Sequence, residues 1–182
     1  MIQILLGAVI VLGLMISANL LVTFAAIRRI AAVEAGHADG SAAALVPDIG
    51  YQVADFSTDL LSGGAVDRAD LADSSVVTIF VSPGCAPCQK LIASMRSGRV
   101  PRSDSLLIFV AGYDDDTVVR DTVAELSDLS ARIGVTPPTG PVAQAFGVGG
   151  YPTVLRVENG IVTAAGTRLD VVEKLRTAVP AR

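Results

Sequence analysis

The chain's only two cysteines, Cys85 and Cys88, stand two residues apart in S-P-G-C-A-P-C-Q-K, Ser82 to Lys90. As a structural staple the pair is poor. Loop-closure entropy grows with loop length, so a bridge over two intervening residues stabilises little. As a zinc site it lacks ligands: tetrahedral zinc takes four, and the chain adds one remote histidine, His37. Two thiolates can hold copper(I), which makes a copper(I)-binding module the non-enzymatic alternative. The chemistry that needs this spacing is a disulfide that is made and broken in turn.

That chemistry depends on which elements carry the two sulfurs. Val76 to Val81, V-V-T-I-F-V, is β-branched and apolar on both faces, which predicts a central strand buried on both sides. Leu91, Ile92 and Met95 recur at helical spacing and predict a helix ended by Ser97-Gly98. The cysteines fall at the turn between them. A sulfur at the helix N-cap faces unpaired N–H groups and the positive end of the dipole, which favours thiolate over thiol. Cys85 is therefore expected to be the nucleophile. Cys88, one turn later and shielded, resolves the mixed disulfide. Pro87 removes a backbone donor and stiffens the turn.

Downstream, Ser105 to Ala111 predicts a second buried strand, and Asp114-Asp115-Asp116 opens a helix carrying Val118, Val119, Val123, Leu126 and Leu129. Pro137 to Gly140 reads as a loop and Val142 to Phe146 as a short helix. Val154 to Glu158 and Ile161 to Ala164 flank Asn159-Gly160, a hairpin signal. An amphipathic helix over Leu169 to Val179 stops at Pro180. Upstream, Val53 to Thr58 reads as a short strand. Ser62-Gly63-Gly64 reads as a turn returning through Ala65-Val66, and Leu71 to Ser74 as a helical turn. The order is strand, helix, strand, helix, loop, hairpin, helix. It implies an α/β layer with a mixed central sheet flanked by helices.

A mean hydropathy of +0.56 is high for a soluble domain. Its source is Ile2 to Ile27, which contains no charged residue. As a helix this stretch spans about 39 Å, enough to cross a bilayer core with some tilt. The start lacks the basic residue of a cleaved signal peptide and the apolar run is too long for one, so an uncleaved anchor is expected. Residues 1–35 are read as a transmembrane anchor, 36–50 as a linker and 51–182 as the folded domain. Orientation is contested within the sequence. Arg28-Arg29 favours a cytoplasmic carboxyl side by the positive-inside rule, whereas disulfide chemistry favours the extracytoplasmic side. The balance of 14 basic against 18 acidic residues, with no basic run interleaved with aromatics, gives no sign of nucleic-acid binding.

From Val53 to Val179 the chain resembles the thioredoxin superfamily, and within it the membrane-anchored, extracytoplasmic TlpA, ResA and MauD type. The resemblance rests on F-V-S-P-G-C-A-P-C, on Ala54-Asp55-Phe56 and on G-V-G-G-Y-P-T. It implies a thioredoxin-like fold and thiol–disulfide exchange through Cys85 and Cys88, in an active-site loop of Ser82, Pro83, Gly84, Ala86 and Pro87. It further implies that Pro152 is cis beside the disulfide and that the backbone of Tyr151 pairs with the substrate chain. No prosthetic cofactor or metal is implied. The implied partners are cysteine-containing exported or membrane proteins and a transmembrane redox partner. Three departures stand out. Gly84 occupies the place of a familiar aromatic. Ile79, six residues before Cys85, replaces the buried acid of many thioredoxins, so Cys88 lacks an obvious internal base. Ser82, three residues before Cys85, is similar to the S/T-x-x-C of peroxiredoxins, whose activating arginine is not assignable here; peroxide reduction is the second alternative.

Overall fold

The computed structural model describes residues 45–99 and 105–174, together with Gly13 and Met15. The chain divides into two compact units, Met1–Ser41 and Ala42–Arg182. Gly13 and Met15 are helical. The rest of the expected anchor, the linker up to residue 44 and the end of the last helix lie outside the described residues. Among the described residues no helix is long and apolar enough to cross a membrane.

The second unit is built on a five-stranded mixed sheet. In chain order, a small antiparallel hairpin comes first, β1 (Ser57–Asp59) and β2 (Ala65–Asp67). A short 3₁₀ turn at Ala69–Leu71 leads to β3 (Ser75–Val81). Then follow α1 (Ala86–Arg96), β4 (Ser105–Ala111), α2 (Thr117–Leu126), β5 (Arg132–Thr136) and α3 (Pro141–Ala145). Strands β6 (Thr153–Glu158) and β7 (Ile161–Gly166) close the sheet, and α4 is described over Asp170–Lys174. The strand order is β5-β4-β3-β6-β7. β3, β4 and β5 run parallel, whereas β6 runs antiparallel to β3 and to β7.

Burial follows from the period-2 alternation of the central strands. Val77, Ile79 and Val81 of β3, with Leu106, Ile108 and Val110 of β4, face α1, α2 and α4. Val76 and Phe80, with Leu107 and Phe109, face the opposite core. There the rings of Phe80 and Phe109 lie tilted with centroids 5.1 Å apart, and Phe146, the C-cap of α3, meets Phe80 edge-on at 5.3 Å. Both faces of β3 and β4 are therefore dry, as their unbroken apolar runs require.

Asn159 and Gly160 adopt φ of 53° and 75°, the left-handed pair of a tight hairpin turn between β6 and β7. Of the three consecutive acids before α2, Asp116 is the cap: its Oδ1 accepts the Val118 N–H at 2.9 Å. Three expectations need correction. The first strand begins at Ser57 rather than Val53, whose N–H instead bonds Gly160 O at 2.9 Å. The helical turn before β3 lies at Ala69–Leu71, not Leu71 to Ser74. The edge strand β5 was not expected at all. Residues 45–50, expected to be linker, also belong to the fold at their end: Pro47 is buried and Gly149 N–H bonds Leu45 O at 2.9 Å.

Candidate active site

Strand β3 delivers the chain to the site and β6 brings its other half. The C-terminal end of β3 runs into Ser82-Pro83-Gly84-Cys85. Because β6 is antiparallel to β3 with Phe80 opposite Thr153, the residues just before β6 lie at that same end. Tyr151 and Pro152 are those residues, and the peptide between them is cis. Sheet register alone therefore brings together two segments far apart in sequence.

The turn into α1 is set by Gly84, with φ of 73° and open space where a Cβ would stand. A side chain would fit there, but an L-residue would be held in a left-handed backbone conformation at a cost of about 1 kcal/mol. This accounts for glycine in place of an aromatic. Cys85 is then the N-cap of α1 in extended geometry, φ −81° and ψ 109°. Its Sγ accepts the Cys88 N–H at 3.3 Å, satisfying one of the helix's unpaired donors. Pro87, in the first turn, has no N–H to leave unsatisfied.

Cys85 and Cys88 are joined in a disulfide with Cα atoms 5.2 Å apart. Their environments differ. Cys85 is half-buried, whereas Cys88 is fully buried against Leu91, Ile92 and the β3 side of the core. The Cys88 Sγ accepts the Ser82 N–H at 3.5 Å. The Cys85 Sγ lies 3.7 Å from the Tyr151 carbonyl oxygen. An incoming thiolate can reach only the Cys85 sulfur. Attack there expels Cys88 as a thiolate already facing an N–H donor. No cluster of three metal-ligating side chains occurs among the described residues.

Tyr151 is held from two directions. Its hydroxyl donates to Pro138 O, and its burial pushes the phenol pKa above the ordinary 10.0. Thr153 Oγ1 donates to Gly150 O at 2.8 Å, pinning the turn that precedes Tyr151. The main-chain N–H of Tyr151 makes no hydrogen bond to a described residue. On the outer side, a Cβ on Gly150 would meet Leu45 Cδ1 at 2.9 Å and Cβ at 3.1 Å. Sequence reasoning named Cys85, Cys88, Tyr151 and Pro152, and the fold brings all four together. It missed Leu45 and Pro138, whose contacts with this loop leave no local signature.

No protein-family model matches the chain, and no curated protein matches its sequence. Solved structures do match. A crystal structure from Chlorobium tepidum, assigned as a thiol:disulfide interchange protein DsbE, is 25% identical with a TM-score of 0.50, covering 71% of this chain and 94% of that one. The thioredoxin domain of a thiol-disulfide oxidoreductase from Bacteroides vulgatus is 16% identical with a TM-score of 0.56, covering 74% and 99%. A DsbF homologue from Corynebacterium diphtheriae is 18% identical at 0.54, covering 70% and 84%. The chain has a thioredoxin-like fold. In this thioredoxin-like domain the Cys85–Cys88 disulfide, the cis proline and the Tyr151 carbonyl converge at one end of the sheet.

Proposed function

We propose that this thioredoxin-like oxidoreductase is tethered to the cell membrane by a single-pass N-terminal helix. There it exchanges disulfides with exported or membrane proteins on the extracytoplasmic side, as a member of the TlpA, ResA and MauD type. One observation carries the redox reading: a half-exposed N-cap sulfur, Cys85, bonded to a fully buried one, Cys88. The uncharged stretch Ile2 to Ile27 supports the tether.

In the reducing direction, the Cys85 thiolate attacks a partner disulfide. A Cys85–partner disulfide forms and one partner sulfur leaves as thiolate, taking up a proton. The thiolate of Cys88 then attacks the Cys85 sulfur, closing the internal disulfide and releasing the second partner sulfur. Two electrons pass from the dithiol to the partner. In the oxidising direction each step runs backwards, and a transmembrane redox partner restores the starting state. Tyr151, whose N–H has no partner among the described residues and whose carbonyl lies beside Cys85, pairs with the partner's backbone as an added strand. Pro152 shapes that contact. Among the described residues no carboxylate is buried, so the proton of Cys88 leaves through water or the partner.

Insulin-disulfide reduction by the full chain tests the activity. Cys85→Ser is expected to abolish turnover, and Cys88→Ser to accumulate mixed disulfides with the substrate. If both variants exchange thiols like the native chain but lose stoichiometric copper(I), a copper carrier replaces this reading. Labelling of intact cells with an impermeant thiol reagent after reduction tests the location. Labelling only after permeabilisation places the domain inside.

A further inference from the structure

A groove of about 550 Å³ leads away from the dithiol between α1 and the start of α4. Pro87 and Pro152 line its near end, so it is continuous with the place where a partner's cysteine must stand. Leu91 and Leu169 give it an apolar wall; both are nearly buried. Its charged residues are Lys90, Arg99 and Arg168 against Asp170 and Glu173. Arg168 Nε and Asp170 Oδ1 compensate each other at 3.4 Å. Lys90 and Arg99 have no carboxylate at ion-pair distance among the described residues. The chain as a whole carries a net charge of −4, so a local surplus of positive charge here runs against the rest of the molecule.

We infer that this groove reads the partner's sequence beside the reacting cysteine and favours a segment carrying an acidic side chain opposite Lys90 and Arg99. The inference rests on the oxidoreductase reading and adds a substrate preference to it. A partner strand laid along Tyr151 advances about 3.3 Å per residue, so the residues flanking its cysteine pass the mouth of the groove. Leu91 and Leu169 accept the aliphatic part of a long acidic side chain. The two cations meet its carboxylate. Lys90 and Arg99 repel a basic one, and Glu173, in the same groove, moderates the preference without cancelling the two cations. Charges at the rim of an interface act mainly on encounter and on rejection of wrong partners, so the effect is one of selection and is screened by salt.

The test uses the full chain and three disulfide-bridged peptides that differ only in Glu, Gln or Lys beside the reacting cysteine. The Glu peptide is expected to exceed the Lys peptide in kcat/KM by about fivefold at low ionic strength, with Gln between them. The gap is expected to close at high salt. The Lys90→Glu, Arg99→Glu double variant is expected to reverse the order. Equal rates for all three peptides with the native chain would overturn the inference and leave the oxidoreductase reading standing. An unchanged order in a folded double variant would overturn the assignment to Lys90 and Arg99. If even the Gln peptide is not turned over, the oxidoreductase reading itself fails.

Discussion

The sulfur of Cys85 lies 3.7 Å from the main-chain oxygen of Tyr151, although 66 residues separate them. The contact follows from strand register: β3 ends where antiparallel β6 begins, so the N-cap of α1 faces the turn before β6. In the disulfide the sulfur carries no proton and the contact is van der Waals. In the reduced state the Cys85 thiol can donate to that oxygen, and ionisation turns the same contact repulsive. The N–H of Cys88 then becomes the interaction that holds the anion.

The loop bearing Tyr151 is braced by Leu45, which gives the first prediction. Gly150→Ala places a methyl about where Leu45 now packs; Cδ1 can swing aside, but Cβ moves only if the strap moves. The variant is expected to lose about 1 kcal/mol, read as a melting temperature lower by about 3 °C. Leu45→Gly in the same chain, which removes that Cβ as well, is expected to recover most of that loss. Two losses that simply add would show that Leu45 does not press on the loop.

Arg156 is nearly buried in β6. Its Nη2 donates to Val172 O at 2.8 Å, and its Nη1 to Ser75 Oγ at 3.2 Å. It therefore ties α4 to the sheet. Arg156→Met keeps much of the volume but leaves the Val172 carbonyl without these donors, and a loss of about 2–3 kcal/mol is expected in urea unfolding. A change below about 0.5 kcal/mol would mean that water satisfies the carbonyl instead.

Thr78 stands between Leu107 and Leu155 at the centre of the sheet, with no exposure and no hydrogen-bond partner for its hydroxyl among the described residues. The hydroxyl has been taken from water for nothing in return. Thr78→Val is expected to leave stability unchanged or raise it by about 1 kcal/mol. A clear loss in the same unfolding measurement would reveal an ordered water bonded there.

Tyr151 gives a pH dependence. Burial raises its phenol pKa above 10.0, so the folded state holds the proton at pH values where the unfolded chain releases it. Stability from this group is complete below the unfolded pKa and is lost as pH climbs through the raised folded value. Tyr151→Phe removes the bond to Pro138 O and is expected to cost about 1 kcal/mol near neutrality. Its stability is then expected to fall less steeply than the native chain's above about pH 10. Parallel unfolding curves for the two proteins across that range would contradict the assignment.

Much of the arrangement is legible in the sequence because it is written locally. Ser105–Ala111 is strand over the expected residues, and Asn159-Gly160 turns where that dipeptide should turn. Cys85 is an N-cap because an apolar strand and a helical period meet there. The edge strand β5 escaped notice because R-I-G-V-T has a glycine at its centre. That glycine exists for a distant reason: a Cβ on Gly134 would come within 3.1 Å of the Phe109 ring. The alternation of Ile133 and Val135 around it was the available signal. The strap at 45–50 carries no period at all; the bonds of Gly149 N–H to Leu45 O and of Gly50 N–H to Val162 O, with the burial of Pro47, make it part of the fold.

The central claim is that Cys85 is the sulfur that ionises and attacks. The most direct measurement is the alkylation rate of each cysteine in the reduced full chain as a function of pH, read by mass spectrometry. Cys85 is predicted to react first, with a midpoint below the free-thiol value of about 8.5, while Cys88 stays unlabelled until the fold is denatured. Labelling of Cys88 first, or a Cys85 midpoint at or above about 8.5, would contradict it.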